Sequence, residues 1–265
     1  MVQGINTYAY NGEEYKRRSR AEAEAGFWIA TAAAAGIRAM LPSFSKPFLK
    51  QMPKEHARNH LYKDVFEKSI DLSKLKDKGL SYVDVSKHFH IMTDKQVLQG
   101  LNAFYSPSTK EIVLNGNKAT ISGFHELGHA MNHLNNGFGK ILQKLRKPGM
   151  WLAGVMGTIA FIGSNKPKGA KKDPVDKLVN ASGPIAFCAM LPVVAEEALA
   201  SYKGIKIAKK AGLAEPLVKN LKKFYGKALL SYGGYALITG LAVYATSKIM
   251  NAFTRPQKVK REYYG

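Results

Sequence analysis

The sequence predicts a mainly α-helical protein with a small β-hairpin and several apolar, membrane-embedded helices. Two observations lead to this prediction. Three uncharged apolar runs, at residues 150–162, 178–195 and 228–247, each have basic residues close by in the chain. Ahead of them, residues 103–114 form the pattern of a hairpin, with strand-forming segments on either side of a Ser-Pro-Ser-Thr turn.

The apolar runs favour an integral or tightly associated membrane protein. The run at 228–247 has the length of a bilayer-spanning helix, and the other two approach it only if their polar flanks enter the interface. Buried core helices of a soluble protein are the alternative. The net charge of +21 is spread over most polar segments, which suits contact with anionic membrane lipids. No nucleic-acid motif accompanies this charge, so a nucleic-acid partner is not expected.

The first hundred residues indicate a mixed segment. An Ala-rich apolar run at 27–37 predicts a retained membrane-associated or packed helix, because acidic residues interrupt the approach that a signal peptide would need. Helical pattern follows around residues 56–75, and a short strand is predicted within 79–85.

A single motif indicates chemistry. His125, Glu126 and His129 match the pattern His-Glu-x-x-His. In a helix with Ser122 as its N-cap, both imidazoles lie one turn apart on the same face and can reach one zinc ion. Glu126 then points toward a metal-bound water, whose proton it can take and later deliver to a leaving amine. This is the zincin-like active-site helix of a metal-dependent hydrolase, whereas two incidental histidines on a surface helix are the alternative.

A catalytic zinc ion needs a third protein ligand. His133 extends the same helix face, but it lies about 12 Å along the axis from His125, too far to share one ion. Glu196 and Glu197 are better candidates, because they end an otherwise apolar run where a charge needs a partner or a cation. The residues alone leave both glutamates open.

The two motifs together resemble a known family. His125-Glu-Leu-Gly-His129, followed by Glu197-Ala-Leu-Ala-Ser201, resembles the gluzincin-like pattern of membrane zinc metallopeptidases that read Glu-x-x-Ala-Asp or Glu-x-x-Ala-Ser. The chain resembles most the bacterial neutral zinc metallopeptidase family of integral membrane proteins. Residues 105–114, ahead of the motif, and residues 228–237, after the glutamate, share this resemblance, which covers about residues 100–250.

The resemblance implies a zinc-dependent endopeptidase in the bacterial cytoplasmic membrane, acting on a peptide or protein substrate. One Zn²⁺ per chain would be held by His125, His129 and Glu197, with Glu126 as the catalytic residue.

By the same resemblance Glu197 is the ligand, because it and not Glu196 stands three residues before Ala200. Glu196 is then expected to face water or pair with a lysine. Ser201 stands where better-studied relatives have an aspartate that orients a zinc-binding imidazole. A hydroxyl can accept the same hydrogen bond more weakly.

Other functions stay open at this point. One is a catalytically inactive zinc-binding membrane scaffold, and another is a basic module that binds anionic lipid or nucleic acid. The hairpin either offers its free edge to an extended substrate or only covers the motif helix. We divide the chain into an N-terminal anchor or regulatory region, 1–99, a membrane-associated metallopeptidase domain, 100–250, and a basic tail, 251–265.

Overall fold

The structure is a computed structural model that describes residues 50–87, 95–163 and 174–254, with scattered residues between 24 and 48. Part of the predicted helix at 27–37 and most of the basic tail lie outside the described residues, and those residues of 27–37 that are described are helical. The chain divides into two compact units. The first contains Met1–Met40, Met150–Ala189 and Ala236–Gly265, and the second contains Leu41–Gly149 and Met190–Tyr235.

The described residues are mainly helical, as predicted, with one small sheet. The helices are α1 (Met52–Ala57), α2 (His60–Ser73), α3 (Lys95–Leu98), α4 (Thr120–Leu134), α5 (Phe138–Gly163), α6 (Pro174–Lys210) and α7 (Glu215–Thr254). The strands are β1 (Ser81–Asp84), β2 (Phe104–Ser106) and β3 (Glu111–Leu114). A 3-10 turn, Lys76–Lys78, precedes β1.

The sheet contains the predicted hairpin and one further strand. β2 and β3 pair antiparallel, with Tyr105 opposite Ile112. β1 is the strand predicted within residues 79–85, and it pairs parallel with β3, so the order is β1-β3-β2. β2 is therefore an edge strand of the described sheet.

Aromatic packing fixes α4 in the core of the second unit. The Phe124 ring lies edge-on to Phe66, at 5.3 Å between centroids, and to Tyr62, at 6.5 Å. All three side chains are fully buried, and burial of an aromatic side chain of this size contributes about 2–3 kcal/mol. These contacts attach α4 to α2.

The start of α4 differs from the prediction. Ser122 is not the N-cap, because the helix already begins at Thr120 and its cap position makes no side-chain cap bond. Asn59, just before α2, provides this function from a distance. Its Oδ1 accepts a hydrogen bond from the Thr120 N–H at 2.8 Å, and its Nδ2 donates to the Gly116 carbonyl at 2.8 Å. A tertiary contact thus satisfies a buried backbone N–H group at the start of the helix.

Two glycines allow α4 and α6 to approach closely. A Cβ atom built on Gly128 would lie 2.0 Å from the Ala200 carbonyl oxygen, and one on Gly204 would lie 2.2 Å from the Phe124 carbonyl oxygen. Side chains cannot be accommodated at such distances. The crossing places the turn between His125 and His129 directly against the turn that follows Glu197.

In the first unit, α6 and α7 also meet at small residues. A Cβ atom on Gly183 would lie 2.6 Å from the Tyr244 Cβ and 3.0 Å from the Gly240 carbonyl oxygen. Close contacts of this kind are typical of helix pairs in membranes. Large apolar side chains of this unit remain exposed, among them Trp151, Ile162, Leu237 and Leu241.

Length and composition distinguish α6 and α7 from α5. Pro174–Lys210 and Glu215–Ala252 are the two stretches in the described residues that are long and apolar enough to cross a membrane. Of the three predicted apolar runs, the two at 178–195 and 228–247 lie in these helices. The run at 150–162 lies in α5, which does not meet the same criterion.

The glycine crossing generates a prediction about stability. Gly128→Ala and Gly204→Ala should each lower the free energy of unfolding by about 3 kcal/mol, because the added methyl group meets rigid backbone. Thermal unfolding of the detergent-purified protein measures this. Gly233→Ala on α7 is the control, since a Cβ there meets nothing within 4 Å and should stabilise the helix by about 1 kcal/mol. Unchanged melting of both crossing variants would contradict the described contact.

Candidate metal centre

The α4–α6 crossing brings five titratable side chains together. α4 contributes His125, Glu126 and His129, and α6 contributes Glu196 and Glu197. Two overlapping sets have ligand atoms within 4.8 Å of one another. The first set is His125, Glu126 and His129, and the second is His129, Glu196 and Glu197.

Within this cluster, three ligand atoms form a compact triangle. His125 Nε2 lies 3.0 Å from His129 Nε2 and 3.0 Å from Glu197 Oε2. His129 Nε2 lies 3.4 Å from the same oxygen. Tetrahedral zinc ligands with bonds near 2.0–2.1 Å are separated by about 3.3 Å. Two imidazole nitrogens and one carboxylate oxygen at these separations fit a zinc ion that retains an open position.

Glu196 has a different environment from the expected one. The expectation that it faces water or pairs with lysine is wrong, because its side chain is fully buried. Glu196 Oε1 lies 2.9 Å from His129 Nδ1 and accepts a hydrogen bond from Asn132 Nδ2 at 2.8 Å. A proton on Nδ1 leaves His129 Nε2 free to bind a metal. Glu196 therefore orients the imidazole from its rear nitrogen.

Ser201 has the corresponding position behind the other imidazole. Its Oγ lies 3.0 Å from His125 Nδ1, so a hydroxyl stands where the resemblance implies the group that orients a zinc ligand. Tyr225 supports the same ring from another side, at 5.4 Å between centroids, and donates its hydroxyl to the Ile121 carbonyl at 2.6 Å. Both histidines are thereby held with Nε2 toward the triangle.

Arg146 of α5 was not predicted as part of the centre. One guanidinium nitrogen lies 2.6 Å from Glu196 Oε2, and the other lies 2.9 Å from Glu197 Oε1. The contact neutralises charge on two neighbouring buried carboxylates and leaves Glu197 Oε2 for the triangle. In the sequence, Arg146 stands in a basic stretch with Lys140, Lys144 and Lys147, and nothing in that pattern sets it apart.

Burial and charge shift the pKa values of two α4 groups. Burial raises the pKa of the Glu126 carboxyl, whose Oε2 accepts the Tyr105 backbone N–H at 2.8 Å. Burial alone would lower the pKa of His129, but Glu196 and Glu197 outweigh it and raise the value to about 10 without a metal ion. The carboxylates that hold this proton also favour a bound divalent cation in its place.

His133 lies outside both ligand sets. Its Nδ1 is 2.7 Å from the Tyr105 hydroxyl, so this histidine contacts the edge strand. Among the described residues it forms part of the surroundings of the triangle and contributes no atom to it.

Comparisons of the chain with protein-family models, curated proteins and solved structures find no significant match. Membership of the bacterial neutral zinc metallopeptidase family therefore stays a prediction from the motifs.

The two adjacent glutamates should respond differently to the same substitution. Glu197→Gln should abolish stoichiometric zinc binding at micromolar zinc, because a ligand charge is lost. Glu196→Gln should retain one zinc per chain but weaken its affinity about 10–100-fold, as expected for a group that only orients a ligand. Elemental analysis of the detergent-purified protein and competition with a chromophoric chelator measure both quantities. Loss of zinc only in Glu196→Gln would reverse the two roles.

Proposed function

We propose that this protein is a zinc-dependent endopeptidase with a zincin-like active-site helix, embedded in a membrane. The observation that supports this most is the triangle of His125 Nε2, His129 Nε2 and Glu197 Oε2, with the Glu126 carboxylate beside it. A purely structural zinc site would need no carboxylate beside the open position. Glu126 supplies the proton acceptor that peptide hydrolysis requires.

Each side chain of the site has a separate role in peptide hydrolysis. A zinc ion held by the triangle would polarise the scissile carbonyl and acidify a water molecule. Glu126 accepts the proton of the attacking water through Oε1, because the Tyr105 N–H holds Oε2 in place. Burial raises the pKa of this carboxyl, so it can keep the proton and then deliver it to the leaving amine nitrogen. Glu196 and Ser201 keep the two imidazoles in position.

The edge strand supports a peptide as the substrate. Tyr105 directs its N–H away from β3 and toward Glu126, and within a strand its carbonyl points to the same side. An extended peptide that pairs with this edge would donate a backbone N–H to the Tyr105 carbonyl. Its backbone would then pass beside the Glu126 carboxylate. This arrangement favours recognition of backbone over side chains.

We place the protein in the bilayer through α6 and α7, with membrane lipids as partners. The exposed apolar side chains of the first unit support this location. Hydroxyls within the helices donate to carbonyls of the preceding turn, as Ser182 does to Val179 and Thr246 to Ala242. Polar groups satisfied within their own helix are compatible with a lipid environment. The family resemblance points to the bacterial cytoplasmic membrane.

The decisive test separates zinc binding from cleavage. Glu126→Gln should reduce cleavage of fluorogenic peptides and of an unfolded protein by at least about a hundredfold, because the proton acceptor is lost. Its zinc content should equal that of the wild type, since the triangle is unchanged. Glu67→Gln, on an exposed part of α2, is the matched control and should cleave normally. Undiminished cleavage by Glu126→Gln would refute the mechanism.

Other outcomes would identify the alternatives. One zinc per chain in a wild type that cleaves no peptide would support the inactive zinc-binding scaffold. Salt-sensitive binding of anionic lipid or nucleic acid that survives chelation and His129→Ala, with no zinc bound, would support the basic module.

A further inference from the structure

The second compact unit also contains an apolar groove outside the metal-ligand triangle. It lies along the end of α6 and the start of α7 and encloses about 480 Å³. Its apolar lining includes Ala198, Ile205, Val218 and Leu229. This volume is within the range of about 300–1,000 Å³ that is usual for small-molecule sites.

The lining changes character from one end of the groove to the other. Lys206, Lys209 and Lys222 stand near the turn that joins the two helices. Ala198 lies 11 residues before Lys209, or about 16 Å along the α6 axis. Leu229 lies seven residues after Lys222, or about 10 Å along α7. The groove therefore has a cationic end and an apolar end.

Two of the three lysines at the cationic end, Lys206 and Lys222, are available to a ligand. Lys209 lies 3.6 Å from the Glu215 carboxylate. Lys206 and Lys222 are exposed, and neither forms an ion pair with any residue that the structure describes. Among the residues that the structure describes, no acidic side chain lines the groove. An anion is thus favoured at this end, and a cationic or zwitterionic head group is not.

The lining disfavours a peptide. The polar side chains there, apart from the lysines, are Ser201, Tyr202 and Tyr225. Ser201 already bonds His125, and the Tyr225 hydroxyl bonds the Ile121 carbonyl. The helix backbones bond internally, so a peptide backbone entering the groove would lose hydrogen bonds to water with little compensation.

We propose that this groove binds one anionic membrane lipid. An acyl chain lies along Ala198, Ile205 and Leu229, and the anionic head group contacts Lys206 and Lys222. The site uses no residue of the metal-ligand triangle, so the proposal does not depend on peptidase activity. The groove nevertheless shares Ser201 and Tyr225 with the support of His125, so an occupied groove lies directly behind a zinc ligand.

The first experiment varies the charge. Native mass spectrometry of the full-length, detergent-purified protein would follow titration with phosphatidylglycerol and with phosphatidylcholine of the same acyl chains. We expect one phosphatidylglycerol per chain, bound about tenfold or more tightly than phosphatidylcholine. The double variant Lys206→Gln with Lys222→Gln should lose this preference. Its matched control is Lys210→Gln with Lys219→Gln, which removes exposed charges outside the groove lining and should stay within about twofold of wild type.

The second experiment reduces the free volume of the groove. Gly226 lines the groove, and a Cβ there meets nothing within 4 Å, so Gly226→Leu fills the groove without displacing the backbone. We expect it to lose phosphatidylglycerol binding by at least about tenfold while its melting temperature is maintained. Gly233→Leu, two helical turns further along α7, is equally open and should bind lipid as the wild type does.

Several results would overturn the proposal. These are equal binding of the two lipids by the wild type, normal binding by Gly226→Leu, and equal losses in the two lysine double variants. Glycerol phosphate alone binding as tightly as phosphatidylglycerol would exclude the acyl-chain part of the site. A wild-type dimer that Gly226→Leu converts to a monomer would show that a second copy occupies the groove.

Discussion

The candidate metal centre depends on how closely two helix backbones approach. Gly128 stands between the two motif histidines, and Gly204 stands two turns beyond Glu197, and each meets the carbonyl of the opposite helix. Helices with ordinary side chains at a contact are about 8–10 Å apart. The His125 and Glu197 side chains can converge at 3.0 Å across α4 and α6 because the two glycines place no Cβ atom between the backbones.

The close approach of α4 and α6 buries several carboxylates near one another, and only a few cationic groups balance their charge. Glu196 and Glu197 are consecutive and almost completely buried, and the Glu197 carboxylate also repels that of Glu126 on the neighbouring helix. Buried carboxylates without partners would cost several kcal/mol each. Arg146 contacts both of the α6 carboxylates, and His129 contacts both from the other side. A divalent cation in the triangle would add positive charge to this group of carboxylates, so the need for charge balance would itself favour metal binding.

Sequence alone was sufficient for features that depend on local spacing. His125 and His129 share a face because of helical periodicity, and the hairpin follows from its turn residues. Glu197 was separated from Glu196 only by resemblance. Arg146 could not be found, since its contact to Glu196 joins positions 50 residues apart within a lysine-rich stretch. Likewise, the hydrogen bond from the Tyr105 N–H to Glu126 depends on how β2 packs against α4. No local sequence pattern predicts this packing.

The error about Ser122 has the same physical basis. A serine before an apolar run is a favourable N-cap. Nothing in the local sequence indicates that the side-chain amide of a distant asparagine will instead accept the hydrogen bond at the start of α4. Asn59 is 61 residues from Thr120, and its side chain becomes a cap only once α2 and α4 are packed together. A tertiary contact from Asn59 thus takes the place of the local N-cap predicted at Ser122.

The Asn59 contact has a consequence for the smallest fragment that can carry the site. A chain cut just before β2 would still contain every candidate metal ligand, Arg146 and the edge strand. It would lack the amide that completes the start of α4 and the rings of Tyr62 and Phe66 that hold Phe124. The motif helix is thus not a transferable module. In the folded protein, the segment around α2 supplies the contacts that hold the start and the buried face of α4.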